Sequence, residues 1–219
     1  MGTPVQAVIF DLDNTLYPEA EYVSSGFEAV AQHVEARGLC PAPTFREQCL
    51  RVSEEPAFRG RVFNEALARL GCEVNPPLIA SLVQVYRGHP PRIALCRDAR
   101  AALADLSRSL VLGILTDGDR RAQLQKVAVL GVRAWVRAVA VNQSPRFWKP
   151  HPRGFRRLLR RLGVAPNRAV MVGDQPKDMI GAQNLGLRAV RIVRPGVAAG
   201  PCTPDFTIHA LTDLPGCLA

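Results

Sequence analysis

The sequence predicts an α/β protein in which a parallel sheet carries helices on both faces and an all-helical domain is inserted. Two observations predict the sheet: short, almost wholly apolar runs recur along the 219 residues, and amphipathic helical patterns alternate with them. A third observation predicts the insertion, because residues 17–91 contain helical patterns only.

The first strand is predicted at residues 5–10, and two carboxylates follow it directly. An apolar run of this length is typical of a strand that is buried on both faces. Asp11 and Asp13 then stand where an open α/β sheet places its ligands. Two carboxylates at 4 Å repel each other by roughly 4 kcal/mol at an effective dielectric constant of about 20, so both stay ionised only beside a cation or a donor-rich ligand. The alternative is that both aspartates belong to a turn or a helix cap.

Two further predicted strands, residues 110–115 and 169–172, repeat this arrangement. The residues that follow them are Thr116, Asp117 and Gly118 after the first, and Gly173, Asp174 and Asp178 after the second. Lys149 comes from a neighbouring loop, just before a helix that begins near Pro152. Because the carboxyl ends of parallel strands meet at one edge of a sheet, we expect these side chains to converge.

The combined pattern resembles the haloacid dehalogenase superfamily of phosphohydrolases, in particular subfamily I with a helical C1-type cap. The segments that match its four motifs in order are Asp11-x-Asp13-x-Thr15, Thr116, Lys149-Pro150, and Gly173-Asp174 with Asp178. The resemblance implies a Rossmann-like core, formed by residues 1–16 and 92–219, with the first strand at its centre. It also implies that residues 17–91 form a cap domain that closes over the site and carries specificity.

The resemblance also implies a role for each matching residue. Asp11 is the implied nucleophile, and Asp13 is the implied general acid and base. The implied phosphate-binding residues are Thr116, Asp117, Gly118 and Lys149. The implied ligands of a magnesium ion are Asp11, the main-chain carbonyl of Asp13, and Asp174, with Asp178 as a further acidic residue that positions the metal or its waters.

These residue types suit phosphoryl transfer. A carboxylate that attacks phosphorus splits one difficult displacement into two easier ones, while Mg²⁺ and a lysine neutralise charge. Asp13 must protonate the leaving alkoxide and then take a proton from water, so we expect its pKa to be higher than that of Asp11. We expect the amides of Asp117 and Gly118 to donate to phosphoryl oxygens. In the dehalogenase branch of the superfamily, the residue that corresponds to Asp13 typically has no carboxylate, since a leaving halide needs no proton. Asp13 therefore favours phosphoryl transfer over dehalogenation.

The remaining elements continue the alternating pattern. Helices are predicted at residues 98–107, 120–130, 152–163 and 177–186, and further strands at 189–193 and 206–208, with a surface loop from Pro195 to Pro204. Lys177 lies between Asp174 and Asp178 in the sequence, and we expect it to offset part of their charge.

The composition narrows the choice of partner and compartment. The formal net charge is +9, and the densest basic run, residues 153–162, has apolar residues at helical spacing, which indicates a solvated arginine face rather than a nucleic-acid site. The six cysteines form no C-x-x-C pair, no apolar stretch approaches the ~18 residues of a membrane span, and no cationic leader precedes the first strand. We therefore expect reduced thiols, a cytoplasmic location, and neither a membrane nor a nucleic-acid partner. The oligomeric state stays open.

The sequence thus predicts a Mg²⁺-dependent phosphatase that acts on a small phosphorylated metabolite, of the nucleotide or phosphosugar type. Two alternatives stay open. A phosphomutase would keep both aspartates of the first motif but would retain the phosphoryl group on the sugar. A binding or regulatory module would keep the fold without turnover.

Overall fold

The computed structural model describes residues 4–197 and 200–218. The chain divides into two compact units, one formed by Met1–Glu19 with Ile93–Ala219 and the other by Ala20–Arg92. Within the described residues, no helix combines the length and the apolar character that crossing a membrane requires.

A six-stranded parallel sheet forms the centre of the first unit. Its strands, in chain order, are β1 (Ala7–Phe10), β2 (Val111–Asp117), β3 (Val136–Asn142), β4 (Ala169–Gly173), β5 (Arg188–Ile192) and β6 (Phe206–Ile208). The spatial order is β3-β2-β1-β4-β5-β6, so β1 pairs with β2 on one side and with β4 on the other. All four residues of β1 are buried, as expected of a strand covered on both faces. The predicted α/β class and the central first strand are confirmed.

The second unit is helical and has its own core. Its helices, the first of which begins one residue before the unit does, are α1 (Glu19–Ala36), α2 (Ala42–Ser53), α3 (Val62–Arg69) and α4 (Pro76–Gly88). Phe63 lies edge-to-face against Phe27, with ring centroids 6.0 Å apart, and stacks on Phe45 at 6.5 Å. Leu82 is buried in the same cluster. The apolar faces that the helical periodicity indicates are therefore buried against one another.

Four α-helices accompany the sheet in the described part of the first unit. They are α5 (Arg97–Leu106), α6 (Arg120–Val129), α7 (Pro152–Leu162) and α8 (Pro176–Gln183). The arginine-rich α7 is amphipathic: Phe155 and Leu158 are buried in the core cluster of the sheet, whereas Arg156 and Arg160 are exposed. Gly163 ends this helix in the left-handed conformation, with φ of 72°, which costs glycine little.

The predicted elements of this unit agree in type with the observed ones. The four helices predicted between residues 98 and 186 correspond to α5–α8, and the last two predicted strands correspond to β5 and β6. The predicted surface loop from Pro195 to Pro204 includes residues 198–199, which lie outside the described residues. Its described part, residues 195–197 and 200–204, contains neither helix nor strand.

The sequence patterns do not predict β3, which forms one edge of the sheet. Arg137 interrupts the apolar run of β3, and only three of the seven residues of this strand are buried. Side chains from α7 cover this strand: Arg157 donates to the carbonyl of Val141 at 2.7 Å, and Arg161 donates to that of Val139 at 3.2 Å. Side chains that occupy the carbonyls of an edge strand protect it from pairing with another chain.

Arg194 joins three segments of the first unit. Its guanidinium donates to Asp98 Oδ2 at 2.7 Å and to the carbonyl of Thr15 at 2.6 Å. Asp98 Oδ2 also accepts from the N–H of Leu211 at 2.8 Å. Burial acts to raise the pKa of Asp98, but the bonds from Leu211 and Arg194 outweigh it and hold this pKa below the ordinary value of 3.8.

Replacement of Asp98 by Asn is expected to lower the free energy of unfolding by about 1.5–3 kcal/mol at pH 7, because the bonds of an ionised group are lost. The pKa of Asp98 is lower in the folded than in the unfolded chain. Its contribution is therefore complete above about pH 5 and is lost as the pH falls through the folded pKa. Urea unfolding should show a difference between variant and parent that shrinks from pH 7 to pH 3.

Asp105→Asn, on the same helix, is the matched control. The Asp105 side chain is 70% exposed and lies 3.9 Å from Arg108, so its loss should cost less than about 0.5 kcal/mol. Equal losses in the two variants, or a loss in the Asp98 variant that does not depend on pH, would contradict the role described for Asp98.

Candidate active site

The carboxyl ends of β1 and β4 bring acidic residues to the same edge of the sheet. Asp11 directly follows β1, and its N–H donates to the carbonyl of Val172 in β4 at 2.8 Å. Asp174 directly follows β4 and is buried. One carboxylate oxygen from each of Asp11, Asp174 and Asp178 lies within 4.8 Å of the other two. These three residues, which are predicted from strand ends and motif spacing, form one cluster. Asp178 belongs to the first turn of α8.

Lys149 lies among these carboxylates. Its ammonium donates to Asp11 Oδ1 at 2.6 Å and to the carbonyl of Leu115 in β2 at 3.2 Å. It also lies 2.7 Å from Asp178 Oδ1. The side chain of Lys149 is fully buried, and its peptide bond to Pro150 is cis. The structure therefore brings the predicted lysine into direct contact with two of the three acidic residues.

The loop after β4 fixes both of its acidic side chains. Asp178 Oδ2 accepts from the N–H of Gln175 at 3.1 Å, which satisfies a free donor at the start of α8. The side-chain amide of Gln175 donates to Asp174 Oδ2. Gly173 makes room for the Asp178 carboxylate, since a Cβ at residue 173 would overlap it. Glycine is required here by close packing rather than by an unusual φ.

Burial dominates the pKa values of the three carboxyl groups in the cluster. It raises the pKa of Asp11 to about 7, although Lys149 acts in the opposite direction. Burial likewise raises the pKa of Asp174 and that of Asp178. Burial alone would lower the pKa of Lys149, but Asp11 and Asp178 outweigh it and raise that pKa. One ammonium among three carboxylates leaves a formal charge of minus two when all of them are ionised.

The unused ligand capacity of the cluster fits a hard divalent cation. Asp174 Oδ1 is buried and has no hydrogen-bond partner among the described residues. Carboxylate oxygens are the ligands that Mg²⁺ and Ca²⁺ prefer, and a charge of two matches the formal excess. The cluster can therefore bind a metal ion.

Asp13 contacts a different lysine. Lys126 donates to Asp13 Oδ1 at 2.6 Å, Tyr17 donates to the same oxygen, and Gln123 donates to Oδ2 at 2.9 Å. Burial favours the neutral acid, but these three donors outweigh it and lower the pKa of Asp13. The expectation that Asp13 has a higher pKa than Asp11 is wrong for this structure. There are two physical reasons: burial raises the pKa of Asp11, and the contact with Lys126, which the motifs do not indicate, lowers that of Asp13.

The loop after β2 is held by hydrogen bonds from both sides. Gln123 donates to Thr116 Oγ1, so α6 orients this hydroxyl. The N–H of Gly118, whose φ is 132°, donates to the carbonyl of Asn142 at 3.1 Å. From the sequence we expect the amide of Gly118 to donate to a phosphoryl oxygen. In the structure it is used instead to join the loop to β3.

The carboxylate of Asp117 positions the loop that carries the lysine. Asp117 Oδ1 accepts from Asn142 Nδ2 at 2.9 Å and from the N–H of Lys149 at 3.1 Å. Asp117 Oδ2 pairs with Lys177 Nζ at 3.0 Å. The expectation that Lys177 offsets the acidic pair after β4 is therefore wrong, because this cation reaches across to Asp117, the last residue of β2.

Sequence reasoning missed Gln123, Lys126 and Asn142 as members of the site. Gln123 and Lys126 are polar and yet buried, and their spacing of three places them on one face of α6. The same helix buries Ala122 and Val127. A lysine and a glutamine at positions that continue a buried face break the amphipathic pattern, and this break is the signal that the sequence offers.

Comparison with known proteins finds relatives along nearly the whole chain. The family profile of the haloacid dehalogenase-like hydrolases matches residues 5–186. A glyceraldehyde 3-phosphate phosphatase from Methanopyrus kandleri is 33% identical over 199 residues, which cover 87% of this chain and 84% of that protein. A phosphoserine phosphatase from Thermus thermophilus is 34% identical, with 90% of this chain and 77% of that protein covered. The crystal structure of a 2-haloacid dehalogenase from Pseudomonas syringae is similar with a TM-score of 0.68 and 28% identity over 98% of both chains.

Replacement of Gly173 by Ala is expected to displace Asp178, because the new methyl group overlaps its carboxylate. Overpacking of this kind costs about 1–3 kcal/mol, which urea unfolding measures. Gly216→Ala is the control: a Cβ at residue 216 meets no described atom within 4 Å, so the change in stability should stay below about 0.5 kcal/mol. Unchanged stability in the Gly173 variant would contradict the close packing of residue 173 against Asp178.

Proposed function

The chain belongs to the haloacid dehalogenase-like hydrolases, and we propose that it is a Mg²⁺-dependent phosphatase of this family. Its substrate is a small phosphorylated metabolite of the nucleotide or phosphosugar type, hydrolysed through an aspartyl-phosphate on Asp11. The observation that carries the proposal is the buried centre in which Lys149 joins Asp11 and Asp178 beside Asp174. The two phosphatases compared above support the reaction class.

Asp11, Asp174 and the main-chain carbonyl of Asp13 would hold the magnesium ion, with Asp178 positioning the ion or its waters. When bound, the ion neutralises negative charge on the phosphoryl group and on the attacking carboxylate. The unpartnered Oδ1 of Asp174 and the excess negative charge of the cluster support this assignment.

In the first step, a carboxylate oxygen of Asp11 attacks phosphorus and the ester P–O bond breaks. The electron pair of that bond passes to the leaving oxygen, which takes a proton from Asp13. Lys149 holds Asp11 Oδ1 at 2.6 Å, which orients the nucleophile before substrate arrives. Thr116 Oγ1, the N–H of Asp117 and the Lys149 ammonium stabilise charge on the phosphoryl oxygens.

In the second step, Asp13 takes a proton from water while the water oxygen attacks phosphorus and the bond to Asp11 breaks. Inorganic phosphate leaves, and both carboxyl groups return to their starting states. The three donors on Asp13, namely Lys126, Tyr17 and Gln123, favour its carboxylate form, which this step uses directly. The first step requires the protonated acid, which the same donors disfavour.

The side chain of Asp13 distinguishes this reaction from dehalogenation, although a dehalogenase is among the similar structures. A leaving halide needs no proton, whereas a leaving alkoxide does. Hydrogen bonds to both oxygens hold the Asp13 carboxyl group in one position, as a proton donor to a leaving group requires.

We extend the proposal to the helical unit and to the compartment. Residues 17–91 act as a cap that sets specificity, and the separate core of the helical unit supports this division of labour. The protein works in the cytoplasm on a small molecule rather than on nucleic acid. The free cysteines of the described chain support a reducing compartment.

Replacement of Asp11 by Asn should lower kcat for an aryl phosphate by about 10³-fold or more, since the amide is a poor nucleophile. The measurement is release of inorganic phosphate, with circular dichroism to show that the fold is retained. Asp105→Asn serves as the control and should keep full activity. Substantial turnover by the Asp11 variant would remove this residue as the nucleophile. Transfer of the phosphoryl group within a sugar phosphate by the parent, without release of free phosphate, would indicate a phosphomutase.

Removal of divalent metal with a chelator should abolish phosphate release, and added Mg²⁺ should restore it. Titration calorimetry gives a readout that does not depend on turnover: Asp174→Asn should weaken Mg²⁺ binding by about tenfold or more, because one ligand loses its charge. Chelator-resistant turnover, or equal Mg²⁺ affinity in the variant and the parent, would contradict the metal assignment.

A further inference from the structure

A polar cleft lies at the carboxyl end of β3. Its volume is about 210 Å³, and its lining includes Arg120, Arg153, Arg157, Ser144 and Phe147. None of the carboxylates or the lysine of the catalytic centre lines it. Asn142, whose side chain bonds Asp117 in the candidate active site, also lines the cleft. The cleft therefore adjoins that site without sharing its carboxylates or its lysine.

The arginines of this cleft have no acidic partners among residues 4–197 and 200–218. Arg161 follows Arg157 one turn further along α7, and these two, with Arg120 and Arg153, form no ion pair with any carboxylate of the described residues. The pKa of Arg157 is lowered by its burial and by the positive charges of Arg161, Arg153 and Arg120. Three of these guanidinium groups line one cleft, and none of the four is paired with a carboxylate of the described residues.

Two helix N-termini add to this positive charge. Arg120 is the first residue of α6 and Arg153 is the second residue of α7. Neither helix has an acidic residue in its first turn. The N-terminus of a helix carries a partial positive charge, so arginine is unfavourable there unless an anion is present. The carboxylate of Asp119 caps α6 and accepts from the N–H of Ala122 at 3.0 Å, so its charge offsets part of the positive charge at that N-terminus. The N-cap of α7 is His151, which adds no such charge.

The cleft also offers fixed hydrogen-bond donors. Arg157 uses Nη2 on the carbonyl of Val141 at 2.7 Å, which fixes its guanidinium at the wall of the cleft. The guanidinium of Arg153 lies over the ring of Phe147 at 4.3 Å, which restricts its position and leaves its in-plane N–H groups available. Ser144 adds a hydroxyl.

We propose that this cleft binds a phosphate group and that it is a site distinct from the catalytic centre. Arginine presents paired donors that match the oxygens of a phosphate, and an anion would relieve the repulsion among the four guanidinium groups. A small phosphorylated ligand is favoured over nucleic acid, because the aromatic ring of the cleft is covered by Arg153 instead of being open for a base to stack.

Titration calorimetry on the full chain in the presence of EDTA tests this site with two probes, inorganic phosphate and tripolyphosphate. The cleft variant is Arg120→Gln with Arg153→Gln, and it should bind both probes at least about tenfold more weakly than the parent. The matched variant is Arg121→Gln with Arg156→Gln, which removes the same charge from exposed positions of the same two helices. It should bind within about twofold of the parent. Circular dichroism checks the fold of both.

Equal loss of affinity in the two double variants would overturn the proposal, since only the general surface charge would then matter. Absence of phosphate binding by the parent at millimolar concentration would overturn it as well. The two probes separate the sources of the phosphate group. Similar affinity for both supports free phosphate, and much tighter binding of tripolyphosphate, lost in the cleft variant, supports a phosphate carried on a larger molecule. None of these measurements requires turnover, so they remain valid whether or not the chain is a phosphatase.

Discussion

The ammonium of Lys149 is the positive charge around which the buried carboxylates of Asp11 and Asp178 are arranged. Burying an ionised group costs several kcal/mol, and a buried ion pair that loses one partner is destabilised by about 3–5 kcal/mol. The contacts at 2.6 and 2.7 Å offset part of this cost. When all three carboxyl groups are ionised, the single positive charge of Lys149 leaves the centre with an excess of negative charge, and this excess makes it suited to a divalent cation.

Much of the surrounding structure serves to bring that lysine to its place. Asn142 at the end of β3 bonds the carboxylate of Asp117, which in turn accepts from the N–H of Lys149. Gly154 in α7 leaves room for Asn142, since a Cβ at residue 154 would overlap its side-chain amide. β3 carries no catalytic residue. It nevertheless supports the centre, because its last residue, Asn142, orients the loop before Lys149.

The fold and the acidic cluster could be predicted because they depend on short-range patterns. Buried strands require apolar runs, and parallel strands deliver the residues after them to one edge, so the places of Asp11 and Asp174 follow from the sequence. Lys149 follows a strand that the sequence patterns do not predict, and its place is expected from the resemblance to the family motif. The contact between Lys126 and Asp13 could not, since it joins residues 113 positions apart in the chain and reverses the expected order of two pKa values. The prediction of a solvated arginine face holds for Arg156 and Arg160, whereas Arg157 turns back onto β3.

The most direct test of the proposed chemistry is to trap the covalent intermediate. The protein is mixed with Mg²⁺ and an aryl phosphate, quenched with acid within the first turnover, digested, and examined by mass spectrometry. We expect a phosphoryl group on the peptide that contains Asp11, located on that residue, and none when the metal is omitted. Rapid phosphate release with no phosphorylated Asp11 peptide, or a phosphoryl group found on another residue, would contradict an attack by this carboxylate on phosphorus.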